Sequence, residues 1–461
     1  MIRSLILLAV ALAASCTMSA AHADEQLAQQ IFKDLVDINT APSGGGDTSQ
    51  AVAVLVERLR KEGFADDAID VVALDEKRVS LVVRYRSPRP TEKPILTMAH
   101  PDVVEALPED WSVAPFDMIE QDGYFYGRGT VDNKAGAAIL IANLIRLKRE
   151  DYRPDRDIIV MLTGDEESNG DSARYLANER RDLIDAEFAL NTDAGLVILE
   201  GGEPQSFVMQ TSEKVYVSFR WQALDPGGHS SLPRPDNPIY RVARALAEQQ
   251  QHQFPIDLNA TSRAFFAERA EQAPAEERPM LEALANGNVD DPVLEDLPEY
   301  SYYNALSRTT CVATQIEGGH AENALPQTAT AVINCRVVPQ TPVEEILQIM
   351  TDLAAPYGIE VTQVAKAYPS PPSPLTPAIV EPVRAVAAEM WPGIEVVPEM
   401  STGATDGLFV RNVGIPVYGV SAIAEDPNEN RIHGKDERIR VASFNEALQY
   451  WYRLLRRYSG G

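Results

Sequence analysis

The chain has 461 residues, of which 45% are hydrophobic and 24% charged, with 68 acidic against 41 basic side chains and a formal net charge of −27. This mixture supports a large core spread over two or three domains and excludes a disordered chain. So acidic a protein is repelled by nucleic acid and by anionic membrane surfaces, and three cysteines in such a length exclude a disulfide scaffold or a cysteine-rich zinc module.

At the start, Met1-Ile2-Arg3 leads into the apolar run 5–14, and Ala21-His22-Ala23 has the small-x-small form of a cleavage site. Residues 1–23 therefore read as an export signal, with a run too short to span a bilayer comfortably. The expected location is periplasmic or secreted, in a bacterium, with no membrane association beyond this segment. Lipoprotein anchoring at Cys16, which follows Ala13-Ala14-Ser15, is an alternative. Cleavage removes one arginine and no acid, leaving the mature chain one unit more negative.

Apolar runs then end, one after another, at imidazoles and carboxylates. Residues 94–99 end at His100, 157–163 lead to Glu166 and Glu167, and 187–191 lead to Asp193. Continuous apolar strands with helical stretches between them predict a mostly parallel α/β sheet buried on both faces. Residues 133–149 supply one such helix, with Ile141, Leu144, Ile145 and Leu147 near helical spacing and no proline, so Asp132 stands at its N-terminal edge.

A different texture follows. The order strand 214–222, helix 238–251, strands 309–317 and 328–338, helix 342–354 and strand 358–364 is β-α-β-β-α-β, a ferredoxin-like α+β unit. Residues 252–308, rich in Glu, Ala and Pro, interrupt it, and their acidic part 290–299 reads as a solvated surface. The proline-rich 368–374 marks the return crossing. The expected organisation is a first domain made of 24–212 and 367–461, with a smaller domain, 213–366, inserted in it. Cys311 and Cys335 fall in strand-like segments about equally far from Gly318-Gly319, which predicts a cross-strand disulfide in an exported protein.

Taken alone, a Glu-Glu pair is usually a solvated acidic turn and a histidine at a strand end a structural residue. Recurrence changes the balance. His100, Asp132, Glu167, Asp193 and His433 are ligand types that suit zinc, cobalt or manganese, several stand at strand ends, and open α/β sheets place sites there. Five ligands exceed the need of one tetrahedral zinc and suit two divalent ions sharing a bridging carboxylate and a water. Consecutive extended residues point in opposite directions, so Glu167 can hold metal while Glu166 takes a proton from that water and passes it to a leaving amine.

His100-Pro101-Asp102-Val103-Val104, Gly127-Arg128-Gly129-Thr130-Val131-Asp132-Asn133-Lys134-Ala135-Gly136 and Gly164-Asp165-Glu166-Glu167-Ser168 resemble the signature segments of the M20 family of co-catalytic zinc metallopeptidases and amidohydrolases. That family includes dipeptidases, carboxypeptidases, aminoacylases and succinyl-diaminopimelate desuccinylase. The resemblance implies a catalytic domain carrying an inserted lid. It makes Asp132 the metal bridge, completes one site with His100 and Asp193 and the other with Glu167 and His433, makes Glu166 the general base, and has Asp102 accept from the second nitrogen of His100.

In the lid, Gly227-Gly228-His229-Ser230-Ser231 resembles the family's histidine loop, which makes His229 an oxyanion donor. Asn323, Arg336 and the segment with Gly403 and Thr405 match substrate-gripping positions, and a guanidinium suits a carboxylate. Without the resemblance, Asn323 and Arg336 read as framework, as do Asp406, Arg128, His252 and His320. The implied function is an exported di-zinc peptidase cutting the amide bond next to a free carboxylate, as a carboxypeptidase or dipeptidase. The alternatives are an N-acyl-amino-acid deacylase and an inactive peptide-binding relative. Closure of the lid over substrate is expected, and a homodimer through the lid is an implied possibility.

Overall fold

The computed structural model describes residues 22–42 and 46–460. Most of residues 1–23, expected from the sequence to be an export signal, lies outside the described residues, and so does Cys16 with its lipoprotein reading. The chain divides into two compact units, one holding residues through Gln210 with Pro374–Val397 and Phe409–Gly461, the other Thr211–Ser373 with Pro398–Leu408.

The first unit is built on a ten-stranded sheet in the order Ile69–Ala73, Val79–Tyr85, Ile158–Leu162, Ile95–Ala99, Phe188–Asn191, Val417–Gly419, Glu203–Glu213, Val197–Glu200 and Ala424–Glu425, with one further strand off that path. Its centre is parallel: Ile95–Ala99 pairs with Ile158–Leu162 on one side and Phe188–Asn191 on the other. Every residue of these three strands is buried, as expected where a sheet is covered on both faces and no solvent side exists to admit polar alternation. Toward the edge, Val79–Tyr85 and Ile69–Ala73 turn antiparallel.

The helix predicted over 133–149 runs Lys134–Arg149, one residue shorter because Asn133 takes the cap position with non-helical torsions. It is buried nearly all round, as a core helix must be, and its basic residues, half-buried Arg146 and exposed Lys148 and Arg149, gather in the last turn. Gly136 is required there: a Cβ would stand 2.1 Å from Thr192 Oγ1, so any side chain would drive the helix off the strand end that carries Asp193. The helix Val441–Tyr458 buries Phe444, Tyr450, Trp451 and Leu454, each contributing about 1.5–3 kcal/mol of apolar burial.

The second unit contains a four-stranded antiparallel sheet in the order Thr310–Gly318, Thr328–Val337, Val215–Leu224, Glu360–Gln363, with helices Pro238–Gln251 and Val343–Ala354 between strands as the β-α-β-β-α-β pattern predicts. Period-two alternation sorts its side chains. Val217, Phe219, Trp221, Ala331, Ile333 and Cys335 pack with Val242 and Ile346 of the helices, while the intervening residues face the other way. The interruption at 252–308 folds as helices Ala260–Gln272, Arg278–Asn286 and Ser301–Ser307. Its acids Asp290, Asp291, Glu295, Asp296 and Glu299 are exposed, while Leu294 and Leu297 anchor the stretch. Cys311 and Cys335 are bonded, directly opposite one another on adjacent strands with Cα atoms 4.0 Å apart.

The second unit takes in more than the expected 213–366, adding residues 211–212, 367–373 and one distant segment. Pro398–Leu408, expected within 367–461 of the first domain, belongs to the second unit. The cause is hydrogen bonding: Ser401 O accepts from Lys214 N at 2.9 Å, and the Thr405 amide and hydroxyl donate to Glu213 at 3.0 and 3.1 Å. Ser373 N likewise donates to Thr211 O at 2.8 Å and ties down the proline-rich return. Among the described residues no helix is long and apolar enough to cross a membrane.

Candidate metal centre

Three neighbouring parallel strands deliver the first groups. Ile95–Ala99 ends at His100, Ile158–Leu162 leads to Glu166 and Glu167, and Phe188–Asn191 leads to Asp193. Ile95–Ala99 lies between two strands that follow it in sequence, so the connection reverses direction across it, the place where open α/β sheets leave a crevice. Asp132 arrives on the turn before Lys134–Arg149, next to a cis peptide bond joining it to Asn133. His433 comes from a loop ahead of Arg438–Arg440 and has φ +61°.

These side chains form two groups, His100 with Glu166 and Asp193, and Asp132 with Glu167 and His433, with ligand-type atoms within 4.8 Å of one another in each. Asp132 joins them. Its Oδ1 lies 3.0 Å from His100 Nε2 and its Oδ2 3.1 Å from His433 Nε2. His100 Nε2 also meets Asp193 Oδ1 at 3.1 Å, and His433 Nε2 meets Glu167 Oε1 at 3.0 Å. Glu166 stands farther off, with Oε2 3.9 Å from His100 Nε2.

Two expectations change here. Glu166 and Glu167 occupy a turn, not an extended segment; Asp165 O accepts from Ser168 N and Gly170 N, and the turn alone parts the two side chains into different groups. Nδ1 of His100 does turn to Asp102, but to its carbonyl oxygen at 3.1 Å, with the carboxylate at 3.6 Å. The Asp102 carboxylate is engaged elsewhere, accepting the Glu166 and Glu167 amides at 3.2 and 3.0 Å. A carbonyl can only accept, so Nδ1 carries a proton and Nε2 is the nitrogen turned to the cluster.

Electrostatics explains why such a cluster needs cations. Burial pushes Asp193 up to about 7, and the carboxylates of Asp132 and Glu167 add to the rise, against His100. Asp132 is held far below the usual carboxylate range by His100 and His433, against its burial. Hydrogen bonds to Asp132 and Glu167 push His433 up to about 10. His100, 2% exposed, is also raised, because Asp193 and Glu166 outweigh the burial that opposes its charge. Without metal, the protons held by His100, His433 and Asp193 offset the negative charge; two imidazoles and four carboxylates in two bridged groups equally fit a pair of divalent ions that favour nitrogen and oxygen donors.

The residue that sequence reasoning missed is Glu437. Fully buried, it accepts from the amides of Gly129, Val131 and Asp132 at 2.9, 2.8 and 3.2 Å and from Arg128 Nη1 at 2.7 Å. Arg128 Nη2 donates to the carbonyls of Gly434 at 2.9 Å and His433 at 3.4 Å, so this framework arginine braces the loop that carries His433. The available signal was a second acid four residues beyond His433. Glu425 also went unread: it lines a cavity of ≈100 Å³ with Asp132, Asp193, Leu196, Ile423 and Ile432. Burial, with Glu437 and Asp132, pushes its carboxyl up to about 7.

The remaining candidates lie in the second unit. His229 is exposed on a two-residue strand opposite Ala324; its Nδ1 accepts from Ser231 N at 3.1 Å, which leaves the proton on Nε2. Ser230 N donates to Asn323 O at 3.1 Å, so the two loops are held side by side. Arg336 Nη1 donates to Thr402 O at 3.4 Å, and Gly403 N to Ser401 Oγ at 3.0 Å. The Thr405 hydroxyl and amide are committed to Glu213, so Thr405 shapes that loop from within.

Residues 96–457 match the profile of "Peptidase family M20/M25/M40". The chain is 29% identical over 371 residues to an "N-fatty-acyl-amino acid synthase/hydrolase PM20D1" of Xenopus tropicalis, covering 78% of this chain and 72% of that one. It is 27% identical over 439 residues to an "Aminoacylase-1" of Pongo abelii, covering 94% and 95%. Its fold is that of an M20 family metallo-carboxypeptidase from Sulfolobus solfataricus, with a TM-score of 0.72 at 18% identity over 94% of this chain and 99% of that one.

Two outcomes are expected. Glu437→Ala leaves Arg128 buried without its partner and should cost about 3–5 kcal/mol of stability in denaturant unfolding; a loss below 1 kcal/mol contradicts this account. Metal held by this candidate ligand has to displace the proton that a raised pKa keeps on His433 at neutral pH, so apparent affinity should rise with pH, by about tenfold per unit for each displaced proton. Calorimetry in buffers of different ionisation enthalpy reads that release, and binding without proton release would refute it.

Proposed function

The chain belongs to peptidase family M20/M25/M40, and from that membership we propose that it hydrolyses the amide bond next to a free carboxylate in peptides, as a carboxypeptidase or dipeptidase. The observation that carries this reading is Asp132, whose two carboxylate oxygens face separate imidazoles at 3.0 and 3.1 Å. In our assignment Asp132 bridges, His100 and Asp193 complete one metal site, and Glu167 and His433 complete the other. Divalent ions held there, zinc foremost with cobalt or manganese also suited, supply Lewis-acid activation of a water and of the scissile carbonyl.

The other roles follow from placement. Glu166 lies near the cluster but beyond the distance kept by Asp132 and Asp193, and Asp102 fixes its backbone, which suits it to take a proton from the attacking water and return it to the leaving amine. Nε2–H of His229 is assigned to the oxyanion of the tetrahedral intermediate. Arg336, Asn323 and the loop bearing Gly403 and Thr405 are assigned to the substrate carboxylate. A second reading, N-acyl-amino-acid deacylation, draws support from the similarity to the PM20D1 and aminoacylase sequences. Both reactions share the chemistry and differ in what lies beyond the acyl carbon.

We also assign export. The Cys311–Cys335 bond supports it, because disulfides persist in oxidising compartments. The exposed strand Thr310–Gly318, with Val312 and Ile316 at 59% and 61% exposure, supports the proposal of a homodimer through the second unit.

Glu166→Gln should keep its metal by elemental analysis while kcat falls by about 10³-fold or more, since general-base removal commonly costs 10²–10⁴-fold; near-normal turnover removes Glu166 as the base. Hydrolysis of free and N-blocked dipeptides, tripeptides and N-acyl amino acids decides the substrate: preference for a free amine marks a dipeptidase, and cleavage of acyl amino acids alone marks the second reading. Light scattering should give twice the chain mass, reduced to the chain mass by Val312→Asp with Ile316→Asp; a monomeric wild type ends the dimer proposal.

A further inference from the structure

We infer that Tyr216 is a positioning residue that orients the Arg336 guanidinium for the substrate carboxylate. The inference rests on the carboxylate grip proposed above, and it adds a residue that no motif marks.

Tyr216 and Arg336 are direct cross-strand partners on Val215–Leu224 and Thr328–Val337, and on its other side Arg336 faces Thr310. The three form one row across the sheet. Their neighbours Val215, Val217, Cys335 and Val337 point into the core beneath the helices, so the row stands on the opposite face. Arg336 Cζ lies 4.7 Å from the Tyr216 ring centroid, within cation–π range, while Tyr216 as a residue remains 52% exposed.

Like that of the buried Arg308, this guanidinium is drawn out of water with no carboxylate beside it among the described residues. With 68 acids to 41 bases, most arginines have a carboxylate at hand. Among the described residues no carboxylate pairs with Arg336; it donates to the Thr402 carbonyl at 3.4 Å and stacks on Tyr216. A second cation stands close: Lys214, 1% exposed, donates to Arg308 O at 2.7 Å and Thr310 Oγ1 at 3.3 Å. Burial pushes this ammonium down to about 7, and Arg336 adds to the shift. A half-buried guanidinium with no carboxylate beside it makes a place for an anion.

A guanidinium presents five donors in a plane, and an unrestrained arginine loses side-chain entropy when a ligand fixes that plane. The Tyr216 ring holds the plane before substrate arrives. The Thr402 carbonyl takes one donor, and the remaining edge is preset for a two-point contact with a carboxylate. The ring acts by its face, so phenylalanine should serve as well as tyrosine.

The test uses the metal-loaded protein, the best substrate from the panel above and the same compound with its carboxylate replaced by carboxamide. The quantity read is the ratio of kcat/KM values, carboxylate over amide. Tyr216→Leu should lower that ratio by about three- to tenfold, mainly through KM, in keeping with the strength of a partly exposed cation–π contact, and Tyr216→Phe should keep it. If Tyr216→Leu leaves the ratio at the wild-type value, even with both rates reduced, or if Tyr216→Phe loses as much as Tyr216→Leu, the inference is overturned. Arg336→Lys separates the levels. A ratio lowered by Arg336→Lys but not by Tyr216→Leu removes Tyr216 and keeps the carboxylate grip, whereas a wild-type ratio near one removes the grip and Tyr216 with it.

Discussion

The first unit's chemistry depends on the buried pair of Glu437 and Arg128. Glu437 has no solvent exposure and accepts three backbone amides of the Gly127–Asp132 turn along with the arginine, so each lone-pair direction that matters is used. Arg128 carries the constraint onward to the carbonyls of His433 and Gly434. Asp132 and His433, which meet at 3.1 Å, are thus mounted on the two ends of one ion pair. Buried pairs are expensive to desolvate and contribute little net stability, but breaking one strands a charge, which suits them to fixing a single geometry.

The other candidate ligands are fixed by the sheet. His100, Glu167 and Asp193 follow strands whose every residue is buried, and close-packed elements leave side chains at their ends little freedom. Asp102 adds a local clamp, spending both carboxylate oxygens on the amides of the Glu166–Glu167 turn. His433 differs from the rest: it stands in a loop with left-handed torsions and half its side chain is exposed. The cluster therefore has five side chains on a rigid floor and one on a braced but open rim.

The second unit divides its sheet by face. One side is a continuous apolar core with two helices; the other carries the row of Tyr216, Arg336 and Thr310. The disulfide crosses between the edge strand and its neighbour, tying Thr310–Gly318 to the sheet through Cys335, whose side chain belongs to the core. Glu213 and Lys214, consecutive and both buried, serve opposite ends of this arrangement, the acid holding the Thr405 loop and the base the approach to the edge strand.

Local chemistry made much of this legible. Two-sided burial demands unbroken apolar runs, so the strands that end near His100, Glu167 and Asp193 announce themselves, and period-two and helical spacing revealed the β-α-β-β-α-β unit with bounds close to those observed. The nearly symmetric placement of two cysteines about a hairpin was enough to pair them. Periodicity carries no information about partners distant in the chain. Arg128 and Glu437 are 309 residues apart, the Asp102 carboxylate turned out to hold backbone amides more than 60 residues away, and Tyr216 met Arg336 only because two strands aligned in one register. The sequence by itself determined the elements, the donor types and the family, since these depend on neighbouring side chains and on motif spacing. Tertiary structure alone decided which oxygen faces which imidazole, which loop belongs to which unit and that Arg336 stacks on Tyr216, because each of those depends on distances that only packing sets.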